Sequence, residues 1–254
     1  MRYPPHIASV DLHLGGRGLA AITPKTIFGP ANVRRWLDRR LGVLIGTAPD
    51  VATWTDQSGL ANSGAQAVEL SRPHQAEEGD PIVFDGLLQY LSTPDADSLD
   101  ATTSLIVGVS VKPDLVTGNH CIIAKSATGI GEWSVQTNGA AIRFFIGTPG
   151  VAWSEGGTLV AGQRTRLIWV FNGGGIGNAG RLRQWQDGVQ QSPTYPVGAI
   201  PSTITPSVNP ITDGAFSSPA QFFDGDMFAS VIVIGVPEPT AGQIADFDSY
   251  LAGA

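Results

Sequence analysis

The chain has 254 residues, of which 42% are hydrophobic and 15% charged, and its formal net charge at pH 7 is −7. This balance excludes an intrinsically disordered chain, and the 32 glycines follow no collagen-like triplet repeat. The longest strongly apolar runs, residues 104–111 and 231–236, are far shorter than the ~20 residues needed to cross a bilayer, so no membrane association is predicted.

The cysteine content and the first residues both bear on the compartment. Cys121 is the only cysteine, so the chain can form no internal disulfide. Residues 1–6 (MRYPPH) contain no continuous apolar stretch of the signal-peptide type. We therefore predict synthesis in a reducing cytoplasm, without secretion.

Residues 1–31 are predicted to form an extended basic N-terminal arm, because glycines and prolines interrupt them every few positions. Residues 1–40 carry seven basic and two acidic residues, whereas the other 214 carry 8 basic and 20 acidic ones. This asymmetry favours a docking arm, although a loosely held terminus that merely tolerates arginine explains it equally well. The predicted partner-docking residues are Arg2, Tyr3, Arg17, Lys25, Arg34 and Arg35.

Residues 32–254 carry the signals of a single antiparallel β domain. Asp-Gly or Asn-Gly pairs, the strongest short hairpin signal, begin at Asp85, Asn138, Asn172, Asp187, Asp213 and Asp224. Apolar, β-branched and aromatic runs lie between these pairs at intervals typical of a sandwich or barrel. The predicted strands cover residues 105–111, 120–124, 132–136, 141–146, 164–171 and 181–186.

A short helix is predicted at the C-terminal end of the chain. Thr240 and Gln243 fit a capping box, and Ile244, Phe247 and Leu251 then form an apolar stripe on one face. A second helix over residues 32–40 is weakly indicated, and the same residues could instead open the first strand.

Several motifs follow one another along the chain. They are residues 53–59 (TWTDQSG), 72–73 (RP), 82–86 (IVFDG), 90–91 (YL), 105–113 (LIVGVSVKP), 122–125 (IIAK), 161–162 (AG), 186–188 (QDG) and a closing set between residues 225 and 251. In this order they resemble the motifs of the laminin-G-like, concanavalin-A-like lectin/glucanase domain. The resemblance covers roughly residues 32–252 and implies an antiparallel jelly-roll sandwich. The lead-in, residues 23–25 (TPK), Gly29 and residues 35–38 (RWLD), is similar to that of such domains in bacteriophage structural proteins.

The catalytic pattern of the enzymes in this superfamily is missing. They place carboxylates on one strand as E-x-D-x-x-E or E-x-D-x-E, because retaining hydrolysis needs an acid and a nucleophile about 5 Å apart. Neither pattern occurs here, and the one dense acidic cluster, residues 77–80 (EEGD), is predicted to be a solvated loop. His120 and Cys121 are adjacent, so on a strand they point to opposite faces and form no nucleophile–base pair. The chain is therefore predicted not to be an enzyme.

No cofactor is predicted, but the resemblance leaves calcium open. Laminin-G-like domains often bind calcium through carboxylates and carbonyls of their loops. The acidic loops that could do so contain Asp95, Asp97, Asp100, Asp224 and Asp226. One cysteine and four scattered histidines do not supply the ligand spacing of a zinc site.

Exposed aromatic side chains on such a sandwich could stack on sugar rings. Trp54 and Trp169 lie in contexts typical of a core. Trp153 and Trp185 are the predicted sugar-stacking residues, although buried tryptophan is the more common outcome.

Two functions of different class follow from these observations. The first is a non-enzymatic virion protein, a bacteriophage capsid decoration or tail-associated protein docked on other virion proteins by its N-terminal arm. The alternative is a lectin-like module that binds carbohydrate on the host surface. Nucleic-acid binding is not predicted, because the body of the chain is acidic. Homo-oligomer formation is compatible with either function.

Overall fold

The computed structural model describes residues 21–127, 130–147 and 152–254. Within these ranges the chain forms seventeen strands and three α-helices. The strands are β1 (Val33–Asp38), β2 (Val43–Ile45), β3 (Val51–Trp54), β4 (Gly64–Ala65), β5 (Ile82–Asp85), β6 (Leu91–Thr93), β7 (Ser104–Pro113), β8 (Cys121–Ala127), β9 (Ile130–Asn138), β10 (Ala141–Ile146), β11 (Ala152–Thr158), β12 (Thr165–Asn172), β13 (Leu182–Gln186), β14 (Val189–Gln190), β15 (Thr194–Val197), β16 (Ile211–Asp213) and β17 (Asp224–Val233). The helices are α1 (Pro24–Phe28), α2 (Gly177–Arg181) and α3 (Ala241–Gly253).

The strands pair into two antiparallel sheets. A seven-stranded sheet has the order β1-β17-β7-β12-β13-β14, with β5 paired to β17 beside β1. A ten-stranded sheet has the order β15-β11-β10-β9-β8-β16-β6-β4-β3-β2. Neighbouring strands are often distant in sequence, as in a jelly roll, so the predicted all-β sandwich is confirmed.

A stack of three aromatic rings joins the two sheets through the main core. Phe144 of β10 lies between Trp133 of β9, at 6.3 Å between ring centroids, and Trp169 of β12, at 5.5 Å. All three side chains are fully buried in the cluster that fills the space between the sheets. Trp169 therefore lies in the core, as the sequence predicted, and so does Trp54.

The outer face of the seven-stranded sheet is covered by α3. The Thr240 hydroxyl accepts a hydrogen bond from the Gln243 backbone N–H at 3.1 Å, and the Gln243 side chain accepts one from the Thr240 N–H at 2.9 Å. This is the predicted capping box. Ile244, Phe247 and Leu251 are buried against the sheet, as the helical stripe predicted.

Part of the predicted extended arm is helical. Residues 24–28 form α1, and Phe28 packs edge-on against Phe247 of α3 at 5.1 Å between ring centroids. The Gln243 side chain donates to the Ile27 carbonyl at 2.9 Å, which attaches the same segment to the end of α3. The prediction of an extended arm is therefore wrong for residues 24–28, because α3 supplies an apolar surface that the local sequence does not reveal.

Three other local predictions have different outcomes. Residues 33–38 form a strand, so the alternative helix over residues 32–40 is wrong. The pair Asp187-Gly188 forms a two-residue turn between β13 and β14 with φ of 51° and 76°, as expected for a type I′ hairpin. Asp224 and Gly225 instead open β17, where Gly225 faces the backbone of Lys112 and Pro113.

In the described ranges, no helix has both the length and the hydropathy needed to span a membrane.

Candidate functional site

One part of the ten-stranded sheet presents two parallel rows of side chains on its outer face. Directly opposed residues of an antiparallel pair point to the same face, and alternate residues of β10 face outward because the others fill the core. The main contacts of the described helices are with the other sheet and with each other. We call the eight residues of the two rows the platform. They are Val197, Trp153, Phe145 and Ser134 in the first row, and Thr194, Glu155, Arg143 and Gln136 in the second.

The first row is largely apolar. Trp153 of β11 lies opposite Phe145 of β10, with 5.1 Å between ring centroids and 37° between ring planes. Both side chains are partly exposed, and Val197 on the edge strand β15 is 38% exposed. Ser134 ends the row as a small, buried residue. The row therefore offers a continuous apolar surface across neighbouring strands.

The second row is polar and held in place by its own contacts. The Arg143 guanidinium donates from Nε to the Glu155 carboxylate at 2.6 Å, and its Cζ lies 5.5 Å from the Trp153 ring. The Gln136 amide donates to the Ser134 hydroxyl at 2.6 Å. The Thr194 hydroxyl donates to the Glu155 carbonyl at 3.4 Å. Hydrogen-bonding groups thus line one side of the apolar row.

The two predicted sugar-stacking residues differ in their surroundings. Trp153 lies on the platform, partly exposed as expected. Trp185 is only 9% exposed, so the prediction that it is available for stacking is wrong. It faces outward from β13, where it belongs to the same buried cluster as Ile168 of β12 and Ile244 of α3. Trp185 and Arg183 both line a groove of about 280 Å³.

The sequence reasoning missed Phe145, Arg143 and Glu155. For Phe145 and Arg143 the signal was the alternation of residues 141–146, in which every second side chain faces away from the core. Their juxtaposition with Trp153 depends on the register between β10 and β11, which the local sequence does not specify.

The three predicted docking residues that the structure describes, Lys25, Arg34 and Arg35, differ in exposure. Arg2, Tyr3 and Arg17 lie outside the described residues. Lys25 is partly exposed on α1, with its ammonium 6.0 Å from the Trp36 ring. Arg34 is partly exposed on β1.

Arg35 is a core residue, so its assignment to docking is wrong. Its guanidinium forms an ion pair with Asp213 in which both side chains are fully buried. It also donates to the hydroxyls of Thr93 at 3.0 Å and Ser230 at 2.9 Å, which come from the two different sheets. A fully paired and hydrogen-bonded arginine can be buried because its charge is neutralised locally.

One of the loops considered for calcium surrounds a lysine ammonium instead. Lys125 Nζ lies 2.9 Å from Asp95 and also contacts Asp100 and Glu132, and it donates to the Ser207 carbonyl at 3.1 Å. Burial lowers the pKa of Lys125, but the hydrogen bonds to these carboxylates outweigh it and leave that pKa raised. The cation between these carboxylates is therefore supplied by the chain itself.

The acidic residues at the start of β17 that were also considered for calcium are Asp224 and Asp226. Asp226 forms an ion pair with Lys112 at 2.5 Å. Burial raises the pKa of Asp224, and the nearby carboxylates of Asp114 and Asp85 raise it further. Within the ranges that the structure describes, no three or more histidine, cysteine, aspartate or glutamate side chains are grouped so as to hold a metal ion.

No protein-family model matches the sequence. No curated protein matches it either. The similarities found are to solved structures, and their low sequence identities mean that they concern the fold alone.

Three structural neighbours illustrate the similarity. Domain 4 of a Geobacillus stearothermophilus extracellular arabinanase, in complex with arabinotriose, has a TM-score of 0.57 at 16% identity over 85% of this chain and 98% of its own. Trypanosoma rangeli sialidase, in complex with sialic acid, has a TM-score of 0.58 at 13% identity over 87% of this chain and 33% of its own. The botulinum neurotoxin serotype D ligand-binding domain, in complex with N-acetylneuraminic acid, has a TM-score of 0.54 at 9% identity over 88% and 51%.

The chain thus spans a third of the sialidase and about half of the neurotoxin fragment, but nearly all of the arabinanase domain. These similarities support the lectin-like sandwich fold that the sequence resemblance implied.

Proposed function

We propose that this chain is a non-catalytic carbohydrate-binding module and that the platform is its binding face. The observation that carries the proposal is the pairing of Trp153 with Phe145, partly exposed on a face that no described helix was found to cover. Sugar rings have apolar faces and hydroxylated rims. An apolar row beside a polar row therefore matches both features, because aromatic side chains present large rigid surfaces next to hydrogen-bonding groups.

Binding without hydrolysis is favoured by the carboxylates available. Both geometries of glycoside hydrolysis use two carboxylates that flank the scissile bond. Glu155 is the one carboxylate among the eight platform residues, and it pairs with Arg143 at 2.6 Å. Glu132 in the neighbouring strand β9 is fully buried and contacts Lys125.

The structural neighbours add support of a weaker kind. Each of the three was solved with a saccharide or a sialic acid. Those ligands belong to those proteins, and what this chain shares with them is the fold.

A glycan array followed by calorimetry tests the proposal. We expect the chain to bind oligosaccharides, and Trp153→Ala or Phe145→Ala to weaken that binding about tenfold or more, because aromatic anchors dominate binding energy. Leu44→Ala is the matched control, since Leu44 is 58% exposed on β2, at the opposite edge of the same sheet. Absence of binding across a broad array would contradict a binding role for the platform. Equal losses of affinity in Leu44→Ala and Trp153→Ala would contradict it as well.

The virion role predicted from the sequence is a separate proposal that rests on the resemblance alone. It is compatible with sugar binding, because a particle protein can carry a glycan-binding face. Since Arg35 is in the core, the docking residues left to this proposal are Arg2, Tyr3 and Arg17 in residues 1–20, with the partly exposed Lys25 and Arg34. Deletion of residues 1–20 should then abolish incorporation of the folded variant into particles, and full incorporation of the deletion variant would contradict docking by this segment.

A further inference from the structure

We infer that the platform selects uncharged saccharides over anionic ones. This inference rests on the proposed function and names the ligand class of the same site. It follows from how the charges of the platform are already paired.

Arg143 is the only basic residue in β9, β10, β11 and β15, the four strands that carry the platform. Its guanidinium is held by the Glu155 carboxylate at 2.6 Å and lies over the Trp153 ring at 5.5 Å. The pair brings no net charge to the platform. A carboxylate on a ligand would therefore find no free cation among these strands.

An anionic sugar placed on Trp153 would lie beside the Arg143–Glu155 pair, in which the carboxylate repels the sugar and already compensates the guanidinium. Like charges a few ångströms apart repel, and the repulsion is stronger where protein excludes water from one side. The formal net charge of −7 opposes the approach of anions in the same direction, although salt screens that long-range effect. Both terms act against an anionic ligand.

An uncharged sugar meets none of these penalties. Its hydroxyls can donate to the Glu155 carboxylate and exchange hydrogen bonds with the Gln136 amide and the Thr194 hydroxyl. The Arg143 ion pair can stay intact while the ring stacks on the aromatic row. Specificity here comes from repulsion of the wrong ligand as much as from contacts with the right one.

The test uses paired oligomers of glucose and of glucuronic acid with the same linkage, together with the neutral glycans that bind best in the array. We expect the wild-type chain to bind neutral oligomers in a Trp153-dependent way and to bind glucuronate oligomers at least about tenfold more weakly. Glu155→Gln frees Arg143 and should raise the affinity for glucuronate relative to glucose oligomers about tenfold. Arg143→Gln should lower the affinity for glucuronate relative to glucose oligomers below the wild-type ratio. This second variant keeps the test decisive if Glu155→Gln folds poorly.

Glu238→Gln is the matched control for the change in net charge. Glu238 pairs with Arg183 at 2.8 Å and is 62% exposed, on neither row of the platform. We expect this variant to leave the ratio unchanged. An equal effect of Glu155→Gln and Glu238→Gln would overturn the inference.

Two further outcomes separate the inference from the proposed function. Trp153-dependent binding that favours glucuronate in the wild-type chain would overturn the inference and leave the binding role in place. Absence of saccharide binding by the wild-type chain, neutral and anionic alike, would overturn the proposed function and the inference with it.

Discussion

The Tyr250 hydroxyl donates a hydrogen bond to the Asp38 carboxylate at 2.7 Å, although the two residues are 212 positions apart. The same hydroxyl accepts a hydrogen bond from the Trp36 indole N–H at 2.6 Å. Arg40 donates to the other oxygen of Asp38 at 2.8 Å and to the Gly253 carbonyl at 2.6 Å. Together these contacts attach the C-terminal half of α3 to β1.

Removal of the hydroxyl should therefore destabilise the fold. Tyr250→Phe leaves the buried indole N–H of Trp36 without its partner and removes one hydrogen bond to Asp38. We expect a loss of about 1–3 kcal/mol in the free energy of unfolding, measured by urea denaturation. Tyr90→Phe is the control, because the Tyr90 hydroxyl has no hydrogen-bond partner in the ranges covered by the structure. Equal losses in the two variants would contradict a stabilising role for the Tyr250 hydroxyl.

Ionisation of Tyr250 should lower the stability of the fold at alkaline pH. Burial raises the pKa of Tyr250 well above its usual value, and the Asp38 carboxylate raises it further. The folded chain therefore keeps a proton that the unfolded chain loses above about pH 10, so the free energy of unfolding falls as the pH rises past that value. Measured against pH by urea denaturation, the fall should be smaller in Tyr250→Phe.

Loss of the Arg164 proton has the opposite effect on the free energy of unfolding in the same pH range. Burial lowers its pKa to about 10, and the charges of Arg39, Arg166 and Arg40 contribute. The folded chain then loses a proton before the unfolded chain does, which favours the folded state as the pH rises. The wild type and Tyr250→Phe both keep Arg164. The difference between their pH profiles of stability therefore reports the ionisation of Tyr250 alone. Parallel pH profiles for the two would contradict the assignment.

Removal of the buried ammonium of Lys125 should be among the most damaging single changes. Lys125→Met would leave Glu132 buried and ionised without a countercharge, which should lower the free energy of unfolding by about 3–5 kcal/mol. Burial already raises the pKa of Glu132, so adding Glu132→Gln should recover part of the loss. A double-mutant cycle by chemical denaturation measures the coupling.

Lys112→Met is the matched control for Lys125→Met. Lys112 also pairs with an aspartate, Asp226 at 2.5 Å, but its side chain is 34% exposed. Solvent screens such a pair, so its loss should cost no more than about 1 kcal/mol. Similar costs for the two lysine variants would show that burial of Lys125 is not what makes its charge important.

Close approach of α3 to the sheet should depend on a glycine of β7. A Cβ at Gly108 would overlap the ring of Phe247, which is fully buried. Gly108→Ala should therefore displace α3 and lower the free energy of unfolding by about 1–3 kcal/mol. Gly253→Ala, where a Cβ meets nothing within 4 Å, should leave it unchanged or slightly higher. Thermal unfolding of both variants, with proteolysis as a probe of α3, tests this expectation.

The elements that could be predicted from the sequence are those whose causes lie within a few residues. Thr240 and Gln243 predicted the start of α3, and residues 141–146 predicted a strand with the bounds observed. Asp187 and Gly188 predicted the tight turn that the structure contains. Capping, turn geometry and strand alternation are local, so a single sequence carries their signal.

The environments of several charged and aromatic side chains depended on distant partners. Arg35 meets Asp213 across 178 positions, and Lys125 meets Asp100 and Glu132 from separate segments. The burial of Trp185 depends on its packing with α3.

The sequence by itself determined a β-sandwich with a capped C-terminal helix and named Trp153 as a candidate for sugar binding. Only the tertiary structure decided which arginine is core, which tryptophan is covered, and that Phe145 and the Arg143–Glu155 pair stand beside Trp153. The physical reason is that burial and pairing are properties of strand register and sheet packing, which bring together residues with no local relation in the chain.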